Sequence, residues 1–139
     1  MKGIGTEFRV GDGAGPEVFT AVAEVIEMPS YAPSREAHDD TTFDVPDGYK
    51  RFSPGSLTDP GEMTLVLKYN PDDADHVALI DLIDSGALTN CQVYWPNTGG
   101  TAVTETFAAF VTSTSKETPL DGNVTRSVTL KVSGKPTRS

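Results

Sequence analysis

The chain reads as a mainly β domain with one flanking α-helix and a long loop. Three observations predict this. Glu62 to Asn97 runs EMTLVLKYN, PDDADHVALIDLIDSG and ALTNCQVYWPN: an alternating strand, a capped helix and a second apolar strand with almost no linker between them. Several other segments alternate apolar and polar residues with the period of two that a half-buried strand requires. From Pro29 to Pro60, by contrast, prolines, glycines and acids replace any sustained pattern.

A length of 139 residues fits one domain, taken here as residues 1–139. Apolar content is 37%, low for a globular domain, with Thr, Ser, Gly, Pro and Asp plentiful. That mix suits a β protein with long polar loops, or a subunit completed by a partner. The formal net charge of −9 argues against phosphate-backbone binding, which needs clustered Lys and Arg. It is compatible with DNA passing nearby, because a negative wall repels a polyanion. Most acids precede Asp84, whereas Gly122 to Ser139 carries Arg126, Lys131, Lys135 and Arg138 and no acid. This asymmetry fits head-to-tail self-association as well as a plain solvated surface. Cys91 is the only cysteine, and MKGIGTEFRV has no apolar core of a signal peptide, so synthesis in a reducing cytoplasm is expected. No run approaches the ~20 apolar residues of a membrane helix.

Taken in order, Met1 to Gly5 is a small-residue start, and Thr6 to Val10 predicts a strand. Gly11 to Pro16 is a turn. Glu17 to Met28 predicts one long strand, with Val18, Val22 and Ile26 on one parity and Phe19, Ala21, Ala23 and Val25 on the other. Residues apolar on both faces want cover on both. Pro29 to Pro60 is expected as a long loop, with short strands at Thr41 to Val45 and Tyr49 to Phe52 around a Pro-Asp-Gly turn. In Gly61 to Asn70, Met63, Leu65, Leu67 and Tyr69 share one face. The helix is predicted over Ala74–Ser85 with Asn70 as N-cap, Pro71 at N1 and Asp72 and Asp73 in the first turn. His76, Leu79, Ile80 and Ile83 form its buried stripe, and Gly86 ends it. Leu88 to Trp95, Ala102 to Thr114 and Val124 to Val132 predict three further strands, the last two joined by a tight Asp121-Gly122 turn. The tail 134–139 is expected to be loose.

Catalytic constellations are missing. His38 and His76 lie in different elements, and nothing near His38-Asp39-Asp40 supplies a second His or Cys at ligand spacing. Asp72, Asp73 and Asp75 lack the glycine and the bidentate glutamate of a calcium loop. Gly11-Asp12-Gly13-Ala14-Gly15 leads into a strand rather than the helix a phosphate cradle needs. Cys91 has no adjacent base and reads as a small core residue. Tyr94 and Trp95, adjacent on a strand, point to opposite faces and cannot form one platform. The chain is therefore read as no enzyme, with no catalytic residue, metal or cofactor.

The order of elements resembles the tail tube proteins of long-tailed, siphovirus-type bacteriophages. The resemblance covers most of the chain and rests chiefly on the run DPGEMTLVLKYNPDD…ALIDLIDSG, with the strand CQVYWPN and the last hairpin. It implies an antiparallel β-sandwich or small barrel with a flanking helix. It implies a structural virion protein that self-assembles into stacked, hexameric rings, forming the tube through which DNA passes without specific binding. The implied partners are other copies of itself and the tape-measure, baseplate and tail terminator proteins, with no membrane. In this reading residues 29–60 are the assembly loop, unordered in the monomer and ordered on stacking. Phe43, Tyr49 and Phe52 are its anchors, and Lys50 and Arg51 its charges. Two alternatives stay open. One is a related ring-former, such as a tail terminator, distal tail protein or secretion-system tube subunit. The other is a monomeric β-sandwich binding or decoration module.

Overall fold

A computed structural model of the chain describes residues 3–29 and 31–139. Ten elements follow one another: β1 (Glu7–Gly11), β2 (Phe19–Ala21), β3 (Val25–Glu27), β4 (Ser34–Asp39), β5 (Phe52–Asp59), β6 (Glu62–Lys68), α1 (Ala74–Ser85), β7 (Thr89–Trp95), β8 (Val103–Glu117) and β9 (Thr125–Arg138). All nine strands pair antiparallel with their neighbours in two sheets, as the mainly β expectation requires: seven strands in the order β2-β1-β7-β8-β9-β6-β3 and a separate ribbon of β4 with β5.

The connectivity forces the large sheet to curl. In a flat sheet six strand spacings separate β2 from β3, roughly 29 Å. Only Val22, Ala23 and Glu24 join them, a reach of roughly 14 Å from Ala21 to Val25 at full extension. The two edges must therefore approach each other. No ladder closes between β2 and β3, so the sheet is open rather than a closed barrel. Its concave face holds one core: Phe8 from β1, Met63, Leu65 and Leu67 from β6, Cys91 and Val93 from β7, Phe107, Ala109 and Val111 from β8, and Val128, Leu130 and Val132 from β9. Strict alternation puts these residues inside, and truncating a fully buried one such as Leu65 to Ala costs about 2–5 kcal/mol. Leu79 of α1 and Val22 of the connector complete the core.

Several expectations need correction. Glu17 to Met28 is not one strand. It breaks at Glu24, whose φ of 59° turns the chain from one sheet edge to the other. The apolar residues on both parities reflect that change of edge. Asn70 is not the helix cap. Its Oδ1 accepts from Asp72 N–H at 3.0 Å in a preceding turn, and Asp73 caps the helix by accepting from Asp75 N–H at 3.0 Å. Gly86 ends α1 as expected, with φ of 63° and its N–H on the Leu82 carbonyl. The buried stripe is His76 and Leu79, flanked by half-buried Leu82 and Ile83. The tail is not loose after Gly134, because β9 continues to Arg138, opposite Glu105. The link between β8 and β9 runs from Thr118 to Val124, longer than a two-residue turn. Of the Met1 to Gly5 start, Met1 and Lys2 lie outside the described residues.

Candidate assembly surface

Most of the segment expected as a loop is instead a β-ribbon arm. Ser34 pairs with Asp59 at its root and Asp39 with Phe52 at its far end. The ladder lies further in than the strands expected at Thr41 to Val45 and Tyr49 to Phe52: of these residues only Phe52 belongs to a strand, and the others form the connection. The reason is chemical. Asp47 accepts from Tyr49 N–H and Asp39 from Thr41 N–H, so these carboxylates bend the backbone where a ladder would need it straight. Pro54 is tolerated because a two-stranded ribbon has a free edge on every strand. Gly55, the buried position of the arm, lets the strands close, since a Cβ there would stand 3.0 Å from the Glu36 carbonyl oxygen.

The five residues expected to carry self-assembly all sit at the outer end of this arm. Phe43, Tyr49, Lys50 and Arg51 lie in the connection, and Phe52 opens β5. Phe43 is 112% exposed, so it packs against nothing in its own chain. Tyr49 and Phe52 are also exposed, as is Leu57 nearer the root. Arg51 is engaged internally: its N–H donates to Thr41 Oγ1, its carbonyl accepts from Asp40 N–H, and its guanidinium reaches Asp47 at 3.3 Å. Lys50 has no ion pair among the described residues.

The root of the arm is fastened by contacts that reading the sequence missed. Tyr31 Oη donates to Glu105 Oε2 at 2.7 Å, and the other oxygen of Glu105 accepts from Arg138 at 3.0 Å. Removal from water, and then the neighbouring carboxylate, push the Tyr31 phenol up to about 12. The available signal was Glu105 itself, a lone acid on the inward parity of β8 beside Phe107, Ala109 and Val111. Lys131 Nζ donates to Asp59 Oδ1 at 2.9 Å, which with the Gly61 N–H holds that carboxyl below the usual carboxylate range. Gly61, at φ of 93°, passes the Ala32 carbonyl so closely that a Cβ would meet it at 2.8 Å.

Beside these fastenings lies a groove of about 560 Å³ lined by Tyr31, Pro33, Arg35, Thr58, Pro60 and the Gly134–Pro136 stretch of β9. Two ladder edges are open as well. β7 covers β8 only from Val103 to Ala109, and β6 with the preceding Gly61 covers β9 only from Thr125 to Val132, whose N–H donates to the Gly61 carbonyl at 3.1 Å. Beyond those limits β8 and β9 pair with each other and have no second strand neighbour among the described residues. Among the described residues there is no group of three or more His, Cys, Asp or Glu able to hold a metal, and no helix is long and apolar enough to cross a membrane.

A family model described as "Lambda phage tail tube protein, TTP" matches residues 3–139. No curated protein sequence matches the chain. Among solved structures, the tail of an empty gene transfer agent particle, obtained by helical refinement with C6 symmetry, is similar over 100% of this chain and 98% of that one, with a TM-score of 0.80 at 14% identity. The sheath–tube complex of an extracellular contractile injection system is similar over 96% of this chain and 87% of that one, with a TM-score of 0.67 at 17% identity. The SPP1 tail tube is similar over 96% of this chain and 76% of that one, with a TM-score of 0.62 at 16% identity.

Proposed function

Because this chain belongs to the lambda phage tail tube protein family, and is thus a structural protein of the virion tail, we propose that it stacks as hexameric rings that form the conduit for DNA in a siphovirus-type tail. The observation that carries this reading is the exposed arm. An isolated two-stranded ribbon is marginal in water, and this one presents Phe43, Tyr49 and Phe52 to solvent. Exposed aromatics on a projecting ribbon are anchors awaiting a partner. The six-fold number is carried over from the C6 symmetry of the gene transfer agent tail.

Within a ring, the open edge of β8 beyond Ala109 is where a neighbour's strand adds, because unpaired ladder edges are templates for strand addition. Between rings, the arm reaches the next layer, with Phe43, Tyr49 and Phe52 as its anchors and Lys50 as its uncommitted charge. The baseplate and tail terminator are the proteins that start and stop such a stack, and a tape-measure protein occupies it before DNA. The net charge of −9 supports DNA transit without specific binding. No catalytic role is part of this reading.

The test is electron microscopy of concentrated protein, with image averaging along the particle axis. Tubes of uniform width with six subunits per layer support the proposal. Single closed rings that never stack would favour a terminator-like ring-former, and a monodisperse monomer at all concentrations would reject assembly by this chain alone.

A further inference from the structure

We propose that the groove at the root of the arm receives the arm tip, Phe43 to Tyr49, of a second copy of this chain. This deepens the assembly reading and rests on it, since it names the surface that the projecting arm meets.

Three observations carry it. The first is complementarity of shape and polarity. The groove walls are the Tyr31 ring and the rings of Pro33, Pro60 and Pro136, and its volume of about 560 Å³ lies within the range of ordinary binding clefts, about 300–1,000 Å³. Phe43 and Tyr49 are exposed aromatic side chains of the kind such a cleft takes.

The second is charge. Arg35 and Lys135 stand at the groove, and neither pairs with a carboxylate among the described residues. Arg35 spends its guanidinium on the Gly55 carbonyl and Thr58 Oγ1. Arg138 and Lys131 nearby are already matched to Glu105 and Asp59. The tip is acidic: from Asp39 to Arg51 four aspartates oppose one lysine and one arginine. Hydrogen bonds from Thr41 to Asp39 and from Thr42 to Asp44 hold both carboxyls below the usual range, so they are ionised in neutral solution.

The third is reach. The ladder from the Ser34–Asp59 pair to the Asp39–Phe52 pair is five steps, roughly 17 Å, and the tip lies beyond it. An intact arm cannot bend back into the groove at its own root. The occupant has to be the arm of another chain, which makes the contact head-to-tail and repeatable.

Cross-linking tests this directly, because Cys91 is buried at 1% exposure and leaves an introduced cysteine as the reactive one. Pro46→Cys and Lys135→Cys chains, prepared separately and mixed under assembling conditions, are expected to give a mixed disulfide dimer on mild oxidation; Pro46 is an exposed tip position that leaves Phe43 and Tyr49 in place. In parallel, Lys135→Glu and Asp44→Lys are each expected to raise the concentration needed for assembly about tenfold, and the double variant to recover most of that loss. Both positions are exposed, so unchanged thermal melting separates lost assembly from lost folding. Normal tubes with no mixed cross-link and no effect of Lys135→Glu would overturn the groove while leaving the tube reading intact. Absence of any ring or tube from the unmodified chain, with no cross-link, would overturn both.

Discussion

His76 Nε2 lies 2.7 Å from the carbonyl oxygen of Ala23, and this contact ties α1 to the short bridge between the two edges of the sheet. The other ring nitrogen, Nδ1, accepts from Asn70 N–H at 3.2 Å. An acceptor carries no proton, so the ring is neutral with its hydrogen on Nε2, donating to Ala23. The imidazole is fully buried. It holds two backbone groups from separate segments of the chain, and it sits next to Glu24, where the chain takes its left-handed turn.

His76→Leu keeps most of the volume but removes both hydrogen bonds, and is expected to lower stability by about 1–3 kcal/mol. At Glu24, a β-branched residue pays the left-handed penalty without relief, so Glu24→Val should destabilise by about 1–2 kcal/mol. Glu24→Gly should stay within about 0.5 kcal/mol of the natural chain, because relief of strain is offset by a freer unfolded chain. Urea midpoints of the variants measure all three.

Cys91 is expected to be inert in the native protein. Burial, and then the nearby Glu17 carboxylate, push its thiol up to about 12. Native protein at pH 8 should show less than a tenth of the thiol-reagent reaction rate of a free cysteine, with full reaction after denaturation. Fast native labelling would show that β7 opens readily.

Tyr31 should titrate late, above the ordinary tyrosine range. Its folded value of about 12 lies above the ordinary 10, so the fold favours the neutral phenol. The sign follows: this contribution to stability is complete below pH 10 and is lost as pH rises from 10 through about 12. Absorbance at 295 nm should show a late tyrosinate step that Tyr31→Phe removes. The same substitution loosens the arm root, and hydrogen exchange should quicken in β4 and β5 before β6.

Phe43→Ala and Tyr49→Ala are expected to change melting by less than about 0.5 kcal/mol, because exposed side chains make little contact in the monomer. Light scattering should show that both nevertheless weaken association by tenfold or more, as loss of an aromatic anchor does. Lys50→Ala should act mainly through ionic strength, with little effect at high salt.

The core was legible because alternation is a local property. Met63, Leu65 and Leu67, then Phe107, Ala109 and Val111, repeat with period two, and the buried residues lie on that parity. The body of α1 and its Gly86 stop were legible for the same reason. What escaped depends on partners distant in the chain. Glu24 bends because β2 and β3 belong to opposite edges, a demand set by the curl of the whole sheet. Asn70 has the chemistry of a cap, but its backbone N–H is held by His76 and its side chain by Asp72, leaving Asp73 to start the helix. The ribbon arm was obscured by prolines that exclude a central strand yet are harmless in a pair with free edges. The paired tail depends on Glu105 and Thr104 opposite it, more than thirty residues away.

The central claim is that the arm joins copies of this chain into a tube, and deleting Ala37–Leu57 tests it most directly. The cut joins Glu36 to Thr58 next to the Arg35–Thr58 pair, where the two strands are already neighbours, so the curled sheet and its core should remain. The account predicts a folded, monodisperse protein that forms no tubes at concentrations where the full chain does. Tubes of the same width from the deleted protein would contradict it.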